Sequence, residues 1–181
     1  MPYNSIYKPG LFSGQTVVIT GGGSGIGRCT AHELSALGAG VALVGRNPDK
    51  LAATAQEIEE DGGTVSTHIC DIRDEETVRS VIAAILDRHG RIDGLVNNAG
   101  GQYVSLIRDM KTKGFEAVVR SNLIGGFIFS REVYVSWMEK NGGSIVNMLA
   151  DMHGGWPFMS HSGASRAGML NFTESAAAEW G

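Results

Sequence analysis

The sequence has little of several features that would assign a protein to a particular class. Its 181 residues include only two cysteines, Cys29 and Cys70, which are too few for a disulfide framework and favour reduced thiols. The formal net charge is −4, so the chain lacks the excess of basic residues that nucleic-acid binding requires. Its apolar runs stay well short of the roughly 18 residues of a membrane-spanning helix. We therefore expect a cytoplasmic protein with neither a nucleic-acid nor a membrane partner.

Short apolar segments alternate along the chain with longer amphipathic segments. The short segments predict five buried strands, at residues 16–20, 40–44, 64–70, 94–96 and 144–148. The longer segments predict helices at residues 28–37, 48–60, 74–88, 112–140 and 162–180, the fourth interrupted at Gly125-Gly126. This alternation predicts an α/β fold with a doubly wound parallel sheet, formed as one Rossmann domain over residues 1–181. Because that fold has a sixth strand, we expect the chain to be incomplete at its carboxyl end, with a compact five-strand variant as the alternative.

A glycine-rich turn, Thr20-Gly21-Gly22-Gly23-Ser24-Gly25-Ile26-Gly27, joins the first predicted strand to the first helix. Its glycines permit a tight turn and let the backbone approach a pyrophosphate, while the start of the helix favours negative charge. Such a turn by itself is weak support for a binding site. With a strand before it and a helix after it, a dinucleotide site is favoured over a plain tight turn.

Polar residues also follow the other predicted strands. The second strand ends at Gly45-Arg46. In a site for NAD, a carboxylate at this position binds the hydroxyls of the adenosine ribose, and this sequence has none there. The arginine is interpreted as a ligand for a 2′-phosphate, which favours NADPH. The alternative interpretation is a solvated loop residue. Asp71 follows the third strand, where it either accepts from an adenine amino group or caps a turn. Asn97-Asn98-Ala99-Gly100 ends the fourth strand, either beside a ligand or as a bare turn.

In their order and spacing, these motifs resemble the short-chain dehydrogenase/reductase superfamily, from about residue 11 to residue 180. The motifs are Thr20-Gly21-xxx-Gly25-x-Gly27, Asp71, Asn97-Asn98-Ala99-Gly100, and Asn122 within Ser-Asn-Leu-Ile-Gly. The resemblance implies a nicotinamide cofactor, a catalytic network supported by Asn122 through a kink in a long helix, and dimers or tetramers built from the last two helices. The cofactor-binding residues that it implies are Gly21, Ser24, Gly25, Ile26, Gly27, Arg46, Asp71, Ile72, Asn98, Ala99, Gly100 and Arg166.

The catalytic end departs from the family pattern. Members of the family have a serine after the fifth strand, then a tyrosine, and a lysine four residues after the tyrosine. Here Ser162 occupies the tyrosine position and Arg166 the lysine position, while the serine position falls at about Leu149-Ala150. A serine hydroxyl is too weak an acid to protonate the alkoxide that carbonyl reduction forms. Ordinary carbonyl reduction is therefore not expected.

A subgroup shares this departure. Residues 161–168, 136–138 and 143–147 are similar to peroxisomal trans-2-enoyl-CoA reductases. This resemblance implies NADPH-dependent reduction of the carbon–carbon double bond of a trans-2-enoyl-CoA, an acyl-CoA thioester. Asn122, Ser162 and Arg166 are the catalytic residues that it implies, no metal is expected, and a peroxisomal location stays open. Hydride addition to an enoyl thioester forms an enolate, which hydrogen-bond donors already in place can stabilise.

The proton donor and the reaction itself each keep alternatives. Candidate proton donors are His161, Asp151, His153 and Tyr103, although a histidine at position 161 is more often a plain core or surface group. The alternative functions are an alcohol or carbonyl dehydrogenase with a relocated proton donor, and a catalytically silent module that binds the cofactor.

Overall fold

The computed structural model describes residues 3–151 and 153–181. Its five strands form one parallel sheet in the order β3-β2-β1-β4-β5. The strands are β1 (Thr16–Thr20), β2 (Gly40–Gly45), β3 (Val65–Ile69), β4 (Gly94–Asn97) and β5 (Ser144–Asn147). The predicted doubly wound fold is confirmed. Because the strand order reverses between β1 and β4, the carboxyl ends of these two strands border the crevice in which such sheets bind ligands.

Seven α-helical segments connect or flank the strands in the described part of the chain, three of them within one continuous helix. They are α1 (Gly25–Ala36), α2 (Pro48–Glu60), α3 (Glu75–His89), α4 (Thr112–Val119), α5 (Gly125–Val133), α6 (Glu139–Asn141) and α7 (Ser160–Trp180). Two starts are set by side chains, because Asn47 accepts the backbone N–H of Lys50 and Asp74 accepts that of Thr77. None of the helices in the described residues is long and apolar enough to cross a membrane.

Residues 112–141 form one long helix, and the predicted interruption at Gly125-Gly126 is wrong. The helix continues through both glycines, and its irregular turns are instead two π-helical segments, Arg120–Ile124 and Tyr134–Met138. A Cβ at Gly125 would lie 2.6 Å from Cδ1 of Ile72, and one at Gly126 would lie 2.5 Å from Cε of Met169. These glycines therefore allow close packing on the sheet and on α7 rather than breaking the helix.

The core consists of two apolar layers, one on each face of the sheet. Val18 and Leu95 point into the layer beneath α3 and α5, while Ile19 and Leu43 point into the layer beneath α1 and α2, and all four are fully buried. Strand β5 differs from the inner strands, since the side chain of Val146 is 53% exposed. The sheet is thus buried on both faces through β1 and opens toward β5.

Candidate cofactor and active site

The glycine-rich turn between β1 and α1 is closed by Asn98 at the end of β4. The side-chain amide of Asn98 donates to the carbonyl oxygen of Thr20 at 2.9 Å, and the hydroxyl of Thr20 accepts the backbone N–H groups of Asn98 and Ala99, both at 3.0 Å. A Cβ at Gly27 would clash with the carbonyl oxygen of Gly21 and lie 2.5 Å from Nδ2 of Asn98. Only glycine fits position 27, and the amide of Asn98 holds the turn in shape.

The start of α1 offers its backbone N–H groups to a ligand. Ser24 stands at the N-cap without a side-chain capping bond, and the first helical turn contains no acid. Gly25 adopts φ +55 with nothing within 4 Å of its Cβ position, and Ile26 is 61% exposed. Free N–H groups and the positive end of the helix dipole suit a pyrophosphate. The residues of this turn therefore fit a dinucleotide.

Arg46 and Asp71 lie at the carboxyl ends of the adjacent strands β2 and β3. Arg73 donates from Nε to Oδ1 of Asp71 at 2.8 Å, and its backbone N–H donates to the same oxygen at 3.0 Å. These bonds, with a smaller contribution from the charge of Arg46, lower the pKa of Asp71 to about 2. Ile72, between Asp71 and Arg73 in the chain, is buried. The sequence motifs did not indicate Arg73, although its spacing of two residues from Asp71 allows such a pair.

Asn122 is brought to the catalytic end by the first π-helical segment. Its Oδ1 accepts the backbone N–H of Gly101 at 2.8 Å, and its Nδ2 donates to the hydroxyl of Ser162 in the first turn of α7 at 3.5 Å. Asn122 is 2% exposed and Ser162 is fully buried. A π-helical turn reorients the side chains around it and is frequent at functional sites. Two of the three predicted catalytic residues are thus in direct contact.

Arg166 joins the same group from one turn further along α7. Its Nη1 donates to the carbonyl oxygen of Met148, just after β5, at 2.6 Å. A Cβ at Gly100 would lie 2.9 Å from Nη2 of Arg166 and 2.6 Å from Oδ1 of Asn122, so both atoms converge on this glycine. Burial lowers the pKa of the Arg166 guanidinium from its ordinary value, yet a guanidinium stays charged in proteins. The site therefore holds a partly buried positive charge.

The four candidate proton donors have different surroundings. His161 is fully buried, and its Nδ1 accepts the backbone N–H of Ser162 at 2.8 Å. Tyr103 is 40% exposed, and its hydroxyl lies over Gly114 at the start of α4. Asp151 and His153 are both exposed, and the carboxylate of Asp151 accepts the backbone N–H of His153 at 3.1 Å. Of the four, His161 alone makes a hydrogen bond to Ser162.

The loop between β5 and α7 is held against the loop that follows β4. The backbone N–H of Ser105 donates to the carbonyl oxygen of Phe158 at 2.9 Å. Phe158 has φ 65, and it is the one residue other than glycine with a positive φ in the described ranges. Strained conformations of this kind cluster at binding sites. This hydrogen bond holds the two loops together next to the start of α7.

A separate apolar cleft of about 250 Å³ lies beside β5. Its walls include Tyr134 and Trp180, whose rings stack with centroids 4.3 Å apart, together with Phe172 and Ile145. The cleft shares no residue with the group formed by Asn122, Ser162 and Arg166. We place the candidate chemistry at that group because the predicted catalytic residues meet there. Within the described residues, no three histidine, cysteine, aspartate or glutamate side chains are grouped as metal ligands.

Comparisons with known proteins identify the family of the chain. The family model described as short chain dehydrogenase matches residues 15–181. A solved structure from Pseudomonas aeruginosa PAO1, described as a citronellol catabolism dehydrogenase, is 62% identical, superposes with a TM-score of 0.95, and covers 98% of this chain and 73% of its own.

Curated relatives include two reductases that act on dienoyl-CoA by name. The peroxisomal 2,4-dienoyl-CoA reductase of Danio rerio is 34% identical over 99% of this chain and 60% of the relative. A Bacillus subtilis protein that carries the name 2,4-dienoyl-CoA reductase is also 34% identical, over 92% of this chain and 66% of the relative. The chain therefore spans less than two thirds of the length of these two relatives.

Proposed function

The chain belongs to the short-chain dehydrogenase family, and from this premise we propose that the intact protein uses NADPH to reduce the carbon–carbon double bond of a trans-2-enoyl-CoA. The observation that carries the proposal is the pairing of Ser162 with Asn122 where family members have a phenol. The names of the two relatives at 34% identity support an unsaturated acyl-CoA as substrate.

The residues of the glycine-rich turn and the following strand ends would hold the cofactor. The N–H groups at the start of α1 suit the pyrophosphate, and the exposed Arg46 suits a 2′-phosphate. Asp71 and Ile72 border the position expected for adenine, and Arg166 that for the nicotinamide ribose. When bound, the reduced nicotinamide supplies the hydride. Family membership supports a nicotinamide dinucleotide, and Arg46 carries the preference for NADPH.

The protein side chains would act on the charge that the reaction creates. Hydride addition at the β-carbon moves an electron pair onto the thioester oxygen, and a proton taken from solvent water then adds at the α-carbon as the enolate collapses. Because Asn122 donates to the Ser162 oxygen, the Ser162 hydrogen would be left to donate to that thioester oxygen when the substrate displaces the groups that cover Ser162. Arg166 adds a fixed positive charge nearby. Donors already in place stabilise an enolate without having to transfer a proton to it.

A second candidate function is an alcohol or carbonyl dehydrogenase. The observation in its favour is the 62% identity to the structure described as a citronellol catabolism dehydrogenase, which is well above the 34% of the dienoyl-CoA reductases. That reading needs a proton donor other than Ser162. Tyr103, the one phenol in contact with His161, would have to move its hydroxyl away from Gly114.

The deciding experiment follows the absorbance of NADPH with the intact protein. Matched trans-2-enoyl-CoA, 2,4-dienoyl-CoA and 3-ketoacyl-CoA substrates are compared, and an alcohol is tested with NADP⁺. We expect turnover of the unsaturated thioesters and poor reduction of the ketone. Reduction of the ketone or oxidation of the alcohol, without turnover of the enoyl and dienoyl substrates, would support the second candidate function. Cofactor binding without any turnover would identify a silent binding module.

The intact protein is also proposed to form a homo-oligomer. Phe115, Ile124 and Phe127 expose apolar surface along the long helix, and such surface favours association. Analytical ultracentrifugation of the intact protein should give a dimer or tetramer, and a monomer at micromolar concentration would contradict this.

A further inference from the structure

The contacts around Ser162 close into a ring that includes two residues outside the proposed chemistry. The backbone N–H of Gly101 donates to Asn122 Oδ1, and Asn122 Nδ2 donates to the Ser162 hydroxyl. The backbone N–H of Ser162 donates to Nδ1 of His161. The His161 ring meets the Tyr103 ring with centroids 4.5 Å apart and planes at 80°. Tyr103 lies two residues from Gly101 along the chain. The contacts therefore lead from Gly101 through Asn122, Ser162, His161 and Tyr103 back to the same loop.

The hydrogen bond to Nδ1 fixes the proton on the imidazole of His161. An acceptor nitrogen carries no hydrogen, so the neutral ring must carry its proton at Nε2. Nε2 is buried and has no hydrogen-bond partner among residues 3–151 and 153–181. The Tyr103 ring packs against the imidazole in a T-shaped contact, and an aromatic ring is at best a weak hydrogen-bond partner. A buried donor without a full partner is rare, so its retention requires a reason.

The reason is the hydrogen bond that the other ring nitrogen of His161 accepts in the first turn of α7. The first N–H groups of a helix have no acceptor within the helix. Ser162 is the third residue of α7, and His161 Nδ1 accepts its N–H at 2.8 Å. Tyr103 is in turn held from the other side, because its hydroxyl lies over Gly114, where a side chain would clash. The imidazole is thereby wedged between α7 and the loop after β4.

We propose that His161 is a positioning residue, which fixes Ser162 against Asn122 and exchanges no proton with the substrate. The proposal rests on the proposed function, since it takes Ser162 as the donor to the thioester oxygen. It assigns Nδ1 as a permanent acceptor and Tyr103 as the support of the ring. The proposal therefore excludes His161 as the proton donor to the substrate.

The first test compares two amides at position 161 of the intact protein. In His161→Asn the side-chain oxygen can occupy the place of Nδ1, whereas in His161→Gln it lies nearer the place of Nε2. We expect kcat with NADPH and a trans-2-enoyl-CoA to fall roughly 10²-fold in His161→Gln, the scale of a misplaced catalytic group, and to recover at least about tenfold in His161→Asn. The KM for NADPH should change little in either variant.

The pH profile separates positioning from proton transfer. If His161 only positions Ser162, the profile of kcat for His161→Asn keeps the limbs of the natural protein. Loss of one limb in that variant would make His161 an acid or base and overturn the proposal, as would equal activity of the Asn and Gln variants. Tyr103→Leu should lower kcat more than Tyr103→Phe, because only the latter keeps the ring.

A second measurement does not depend on activity. Nitrogen-15 labelling of histidine in the intact protein should show the proton of the neutral His161 ring on Nε2. A proton on Nδ1, or a doubly protonated ring, would overturn the inference even in an active enzyme. If no thioester is turned over, the proposed function fails, and the labelled spectrum still decides the state of His161.

Discussion

Arg166 donates from Nη1 to the carbonyl oxygen of Met148 at 2.6 Å, and this bond ties α7 to the end of β5. The other arm of the guanidinium remains beside Gly100, at the loop that ends β4. A planar fork can serve both places at once, whereas a lysine ammonium is a single point charge. The bond explains how an arginine can stand where family members have a lysine.

Arg166→Lys should therefore weaken NADPH binding, and Arg166→Ala should weaken it further. A hydrogen bond to a charged group contributes about 1.5–3 kcal/mol, so the Ala variant should raise the Kd roughly tenfold to hundredfold. Calorimetric titration of the intact protein measures the Kd. The control is Arg88→Lys, because Arg88 is exposed at the end of α3, near the amino-terminal edge of the sheet and away from the carboxyl ends of the strands. Unchanged affinity in Arg166→Lys would show that the fork is not used.

Arg46→Ala should reduce the preference for NADPH over NADH. The 2′-phosphate would lose a charged hydrogen bond, so the Kd for NADPH should rise roughly tenfold to hundredfold while that for NADH stays nearly constant. Both constants follow from quenching of protein fluorescence. Arg88→Ala removes the same charge far from the glycine-rich turn and should affect neither. An equal loss for both cofactors would remove the assignment of Arg46 to the ribose phosphate.

Ser162→Ala should lower kcat for a trans-2-enoyl-CoA by about 10²–10³-fold, the loss typical of one oxyanion donor in a site that excludes water. The Kd for NADPH should change little, because Ser162 contacts Asn122 rather than the glycine-rich turn. Stopped-flow single turnover isolates the chemical step. Ser175→Ala is the matched control, since its exposed hydroxyl donates to a carbonyl of the same helix. Equal rates for Ser162→Ala and the control would exclude Ser162 as the donor.

Two histidines should make the stability depend on pH. Ser66 Oγ lies 2.9 Å from Nε2 of His68 and 2.8 Å from Nε2 of His89. Burial first, and nearby positive charge second, lower the pKa of both rings. The unfolded chain then takes up protons at higher pH than the folded protein, so stability is lost as the pH falls below the ordinary histidine pKa of about 6.5.

The check is the difference in Tm between about pH 7.5 and about pH 5, on either side of that pKa. The Tm should fall on acidification, and it should fall less in His68→Gln, which has one fewer group to protonate. His32→Gln is the control, because the His32 ring lies beside the Glu57 carboxylate. The same fall in all three proteins would contradict a role for the Ser66 cluster.

Local sequence signals placed most of the secondary structure. The helix Pro48–Glu60 was predicted with its observed bounds, because a proline at the first helical position is a signal carried by one residue. The structure adds the cap by Asn47, which the prediction did not use. The last helix begins two residues earlier than predicted, at Ser160. The first helix begins at Gly25 rather than residue 28, since glycines of the turn are recruited into it. Such ends depend on contacts that periodicity does not record.

The sequence by itself determined the strand and helix order, the glycine-rich turn and the unusual pair Ser162 and Arg166, because each depends on residue type and short spacing. Tertiary structure alone decided which polar atoms meet. Asn98 bonds to Thr20, 78 residues away, and Gly125-Gly126 continues the helix because Ile72 and Met169 pack against it. The physical reason is that a hydrophobic pattern encodes burial along one segment, whereas a hydrogen bond between distant residues exists only once the strands and helices have packed.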